Sequence, residues 1–223
     1  MLIYAVLNLT FSLPDSSNPP AIPSICVPLN FSVSSGLLAF FSYRYAVFYT
    51  NAFLFDEAIA QKLHGDPCSS INLSIDAGTP ETWRKIKGFD NFETVLSNLH
   101  RYRQYSARPG QIILKYIILP DVNDRLEDLS TVVEIAKRLD VRHLTIARDT
   151  EKRYSSGSEY RGKLFETAAR LLALCQRNGI QNDMFTYSVE EQAAAEKLAK
   201  KLLEEAGEKS SDSPGGRRGA ECG

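Results

Sequence analysis

The chain has 223 residues, enough for one domain with a sizeable core, and its 43% apolar and 24% charged content is that of an ordinary globular protein. A formal net charge of −1 gives no overall basic field for nucleic acid. No apolar run reaches the ~18 residues that span a bilayer, and "MLIYAVLNLTF" lacks the positive start of a secretory signal, so a cytoplasmic protein is expected.

Residues 1–44 stand apart. Asp15 and Arg44 are their only charged residues, and Pro14, Pro19, Pro20, Pro23 and Pro28 break both helix and strand patterns. This apolar segment shows no clean period, and no fold is assigned to it. Residues 45–206 are regular. Residues 207–223, "GEKSSDSPGGRRGAECG", have the composition of a disordered tail.

Within the regular part, "YAVFYT" (45–50) reads as a buried strand, and "FDEAIAQKL" as a short helix ended by Gly65. "SINLSI" (70–75) alternates: Ile71, Leu73 and Ile75 share one face, Asn72 and Ser74 the other. Thr79 caps the next helix, with Pro80 in its first position. Asp90 and Glu93 form a capping-box pattern before Phe92, Val95, Leu96, Leu99 and Tyr102. Arg101, Arg103 and Arg108, on that helix and its exit, read as a solvated face. "QIILKYII" (111–118) is a strand stopped by Pro120. Asp124 and Glu127 repeat the box pattern before Leu129, Val132, Val133, Ala136 and Leu139. "HLTIA" (143–147) is a further strand. A helix over 158–178 stops at Gly179, a strand follows near 183–187, and Ser188 with Glu191 box a last helix to about 206.

Strands alternating with helices of this length predict βαβ units and a parallel sheet. A strand of an open sheet, buried on both faces, would read nearly all apolar. Asn72, Ser74 and Asp76 on one side of their strand, and Lys115 between Ile113 and Ile117, instead suit the inside of a partial (β/α) barrel.

The chemistry-bearing residues are few. No G-x-G-x-x-G or Walker loop occurs, and no Ser–His–Asp set can be drawn. His64, His100 and His143 fall where packing or exposure is the default. Cys26, Cys68, Cys175 and Cys222 are too far apart for a metal knuckle or a redox pair, and Cys175 lies on the apolar side of its helix. Asp76 either holds backbone N–H groups of its turn or binds a ligand. Lys115 has three readings: a pair with Asp76, a contact to a cofactor carboxylate, or a Schiff-base nucleophile.

The fragments "YTNAFLFDEAIAQKL", "INLSIDAGTPETWRKIKGFDNFETVLSNL", "ILKYIILPDVND" and "LTIARD", in this order, resemble the later part of a radical S-adenosylmethionine (radical SAM) domain. The likeness covers residues 45–150 well and extends weakly to about 190. It implies an α/β fold of the six-unit, partial (β/α) barrel type, truncated here. It also implies that Thr50, Asn51, Ser74, Asp76, Lys87 and Lys115 help hold S-adenosylmethionine, with Lys87 the loosest match. The family's C-x-x-x-C-x-x-C, whose thiolates carry a [4Fe–4S] cluster, is absent; Cys26 stands alone in that region, so neither metal ligands nor catalytic residues are assigned. The Gly-rich stretch after the second strand is missing, and Asp121 replaces the Gly of "L-P-G-x-N-D". The resemblance therefore implies a truncated or degenerate domain, inactive alone, whose ancestral chemistry is reductive cleavage of S-adenosylmethionine on an unknown substrate. The alternatives are a binding protein or subunit whose open sheet edge a partner covers, and an aldolase-like barrel using Lys115.

Overall fold

The computed structural model describes residues 46–149 and 158–211, together with two short strands, β1 (Ala5–Val6) and β2 (Pro28–Leu29), which pair antiparallel. The regular part alternates β3 (Val47–Thr50), α1 (Glu57–Gly65), β4 (Ser70–Ser74), α2 (Pro80–Lys87), α3 (Phe92–Tyr105), β5 (Ile112–Ile118), α4 (Leu126–Arg138), β6 (His143–Arg148), α5 (Ser158–Arg177), β7 (Gln181–Phe185) and α6 (Val189–Ser211). α6 runs past the boundary at 206 drawn from composition. Residues 212–223 of the expected tail, and nearly all of 1–44, lie outside the described residues.

Strands β3 to β7 form one sheet in strict chain order, and every neighbouring pair is parallel. An open doubly wound sheet reverses its order at a switch point. This one does not. With right-handed crossovers, a sheet that never reverses carries its helices on one face and leaves the other concave, the geometry of an open segment of a (β/α) barrel.

The pleat shows which face is which. Phe48, Ile71, Leu73, Leu114, Tyr116, Leu144, Ile146 and Met184 are buried, and the registers align them on one side. The core they share with the helices includes Ile59, Leu63, Val95, Leu99, Val132, Val133 and Leu171. The alternate residues, less buried for the most part, face the other way.

The local rules hold in part. Thr79 caps α2, its side chain accepting from the Thr82 N–H, with Pro80 behind it, and Gly88 closes α2 at φ +76°. Ser188 and Glu191 make the predicted box: the Glu191 N–H donates to Ser188 Oγ and the Ser188 N–H to Glu191 Oε2. The other two predicted boxes do not form. Asp90 pairs with Arg84 at 2.8 Å, and the N-cap of α3 is Asn91, whose side chain accepts from Trp83 Nε1. Asp124 accepts from the Asp121 N–H, and the N-cap of α4 is the next residue, Arg125. In both cases a tertiary or turn donor captured the carboxylate first. The arginines read as a solvated face are also engaged: Arg101 lies 3.6 Å over the Phe55 ring, Arg103 pairs with Asp140, and Arg108 donates to the Pro67 carbonyl.

Candidate cofactor and ligand face

The open face is built in rows that cross the strands. Tyr49, Asn72, Ile113, His143 and Gln181 are in register, as are Ser74, Lys115, Thr145 and Asp183 one step further toward the strand C-termini. The next row holds Ile117, Ala147 and Phe185. Ser74 and Lys115 are therefore neighbours on the face away from the helices, as the alternation of each strand predicts.

Asp76 lies past the end of β4 and is buried. Its Oδ1 accepts from the Ile117 N–H and its Oδ2 from Lys87 at 2.6 Å, while its carbonyl accepts from Asn123 Nδ2. The carboxylate thus ties the end of β4 to β5. The pairing of Asp76 with Lys115 does not occur: Lys87, brought over from the last turn of α2, takes that place and also lies 5.5 Å over the Trp83 ring. Among the described residues no carboxylate pairs with Lys115, whose Nζ instead stands 5.3 Å from the Phe185 ring centroid.

Thr50 and Asn51 end β3 in a tight turn. Thr50 Oγ1 accepts from the Ala52 N–H and Asn51 Oδ1 from the Phe53 N–H. Ala52 adopts φ +55°, the left-handed region, and is buried. α3 holds this loop from behind: Asn98 Nδ2 donates to the Ala52 and Phe53 carbonyls, and Tyr102 Oη accepts from the Asp56 N–H. Burial pushes the Tyr102 phenol up to about 12, so it stays a neutral pin at any physiological pH.

Two hubs shape the loops after β4 and β5. Asp128, fully buried at the start of α4, accepts from the Gly78 and Thr79 N–H groups and from the Thr79 and Thr82 hydroxyls. Asn123, also fully buried, donates to the Asp76 and Ile117 carbonyls and accepts from the Leu119 N–H, while Tyr116 Oη donates to its carbonyl. Asp121, the departure from the family's glycine, has φ +63°, where glycine is free and aspartate is tolerated. Its carboxylate holds Lys163 of α5 at 2.8 Å and its carbonyl accepts from Lys85 of α2.

One cluster is not evident in the sequence. His143, Thr145 and Asp183 meet on the open face: His143 Nε2 lies 2.5 Å from Asp183 Oδ2, and Thr145 Oγ1 donates to the same oxygen at 3.0 Å. The period-2 spacing of His143 and Thr145 was the available signal. Burial pulls the Asp183 carboxyl upward, but the hydrogen bonds from His143 and Thr145 outweigh it and hold it below the usual value.

The family model of the radical SAM superfamily matches residues 33–133. Over this stretch the chain is similar to the radical SAM superfamily. The match starts within the apolar segment 1–44 and ends in α4. No curated protein matches the chain. Among solved structures, a radical SAM methyltransferase from Sphaerobacter thermophilus superposes with a TM-score of 0.46 and 14% identity, covering 66% of this chain. The chain spans 41% of that protein's length.

The radical SAM family as a whole uses a [4Fe–4S] cluster, and the residues described here do not fit one. Three converging thiolates are needed. Cys68 is exposed in the turn before β4, at the N-terminal end of the strands, and Cys175 is buried in α5, where burial raises its thiol to about 12. No group of three or more metal-binding side chains occurs among the described residues, and Cys26 and Cys222 lie outside them. No described helix is long and apolar enough to cross a membrane.

Proposed function

We propose that the chain is a degenerate radical SAM domain that retains a surface for S-adenosylmethionine and does not cleave it alone. The carrying observation is the pairing of Ser74 with Lys115 on the open face of an unreversed parallel sheet, in a chain without C-x-x-x-C-x-x-C. Reductive cleavage of the sulfonium needs an electron from the cluster, and side chains that only bind cannot supply it. In this reading Thr50 and Asn51, held by α3, border the cofactor, and Lys115 offers an ammonium to its carboxylate. Asp76 and Lys87 act mainly on each other and fix the height at which β4 ends.

A second reading rests on the outer edge of β3, which β1 touches but does not pair with and which has no ladder partner among the described strands. In it the chain is a subunit whose partner adds strands there and supplies the cluster.

Two measurements on the full chain test the proposal. Equilibrium dialysis with labelled S-adenosylmethionine is expected to show saturable binding, weakened by Ser74→Ala and Lys115→Met. Anaerobic reconstitution with iron and sulfide is expected to leave the chain without a cubane. About four irons per chain with a reducible paramagnetic signal, or no cofactor binding at all, would overturn it.

A further inference from the structure

Parallel sheets normally bury both faces, because helices or other strands cover them. Here the face opposite the helices carries one row that is polar on all three of β5 to β7, and the next row ends on a large exposed ring: Phe185 is 57% exposed. Two opposite charges stand on this face without neutralising each other. Lys115 and Asp183 are in the same row, with Thr145 between them. Two strand spacings put their Cα atoms about 9–10 Å apart. Lys115 pairs with no carboxylate among the described residues, and its Nζ leans one row higher, over Phe185 and past the small Ala147. Asp183 spends Oδ2 on His143 and Thr145, and its Oδ1 has no hydrogen bond among the described residues.

An ammonium, a carboxylate with a free oxygen and an exposed ring on one concave face form a complementary set. They match a ligand that carries both charges and an apolar group. We propose that the β5–β7 row is the seat of a small zwitterion of the peptide class, with its carboxylate on Lys115, its ammonium on Asp183 and its apolar side chain on Phe185. The two ends of an extended dipeptide lie about 6–7 Å apart, which suits side chains reaching inward from rows two strands apart. A single free amino acid holds its charges too close together to meet both. His143 and Thr145 are positioning residues: both hold Oδ2 of Asp183 and leave Oδ1 for the ligand. The inference rests on the reading of this face as the ligand face of the domain and gives Lys115 to the dipeptide carboxylate in place of the cofactor's, so the two ligands compete for this row.

The test is a nuclear magnetic resonance titration of the full chain with glycyl-phenylalanine. Saturable shifts are expected at the His143 imidazole and the Phe185 ring. Lys115→Met and Asp183→Asn should each weaken binding by about tenfold or more, the usual loss of a charge-assisted contact. A probe acetylated at its amine and amidated at its carboxylate should not bind. His143→Gln should weaken the free dipeptide and leave the already poor binding of an amine-blocked one unchanged, which a general loss of structure would not do. The absence of saturable shifts, equal binding of the capped probe, or indifference to both charge variants would overturn the proposal. S-adenosylmethionine is titrated in parallel. If it shifts His143 and Phe185 in place of the dipeptide, the row belongs to the cofactor and the proposal falls while the cofactor reading stands. If the dipeptide binds and S-adenosylmethionine does not, the cofactor reading falls and the zwitterion seat stands.

Discussion

Gly78 sits where no other residue fits. A Cβ built on it would lie 2.2 Å from the Asp128 carbonyl oxygen, a backbone atom that cannot swing away. Gly78→Ala is therefore expected to destabilise the chain by about 2–3 kcal/mol through overpacking, read as a lower urea midpoint with an unchanged slope. Ala52 is the opposite case. Its left-handed φ costs about 1–2 kcal/mol relative to a glycine. Its buried methyl returns about 0.8 kcal/mol, and the stiffer unfolded chain about 0.4–1 kcal/mol. These nearly cancel, which explains how the turn after β3 tolerates alanine. At Asp183 the concern is pH. Its folded carboxyl titrates below its ordinary value of 3.8, so the stabilisation from His143 and Thr145 is present above that value. It is lost as the pH falls through the lower folded value. Asp183→Asn should remove that part of the acid destabilisation and leave stability flatter below about pH 4, measured by thermal melts across an acid series.

At the scale of elements, α4 and α3 hold the loops of the open face from behind. Asp128 is the anchor between α4 and the turn that starts α2. Asp128→Ala would leave two backbone N–H groups and the Thr82 hydroxyl without their buried acceptor, at a cost of about 3–5 kcal/mol. Asn98→Ala should act more locally. It frees the Ala52 and Phe53 carbonyls, so the turn holding Thr50 and Asn51 should show faster amide exchange while the amides of β5 keep their protection. Uniform acceleration in both places would show that Asn98 supports the whole fold and not this loop.

Among the described strands, the sheet has a middle paired on both sides and margins paired on one. β5 has a parallel neighbour on each side and four residues fully buried against the helices: Ile112, Leu114, Tyr116 and Ile118. β3 and β7 are the edges. Amide exchange should be slowest in β5 and fastest in β3 and β7, and the reverse order would contradict the topology. The parallel α/β alternation was legible in the chain, because each strand and helix writes its buried face as a period of 2 or 3.6. The Thr79 cap and the Ser188–Glu191 box were legible for the same local reason. The ends of α3 and α4 were not, because Asp90 and Asp124 found donors outside their own helices. The sequence by itself determined the kind of elements, their order, the side of the strand on which Ser74 and Lys115 stand, and the lack of a cluster motif, all of which follow from local spacing. Only the tertiary structure decided that Asp76 belongs to Lys87 and leaves Lys115 without a carboxylate partner among the described residues. It alone brought His143, Thr145 and Asp183 together. A carboxylate's partner is fixed by which helix end or neighbouring strand reaches it first in space, and that distance is not written in the order of the residues.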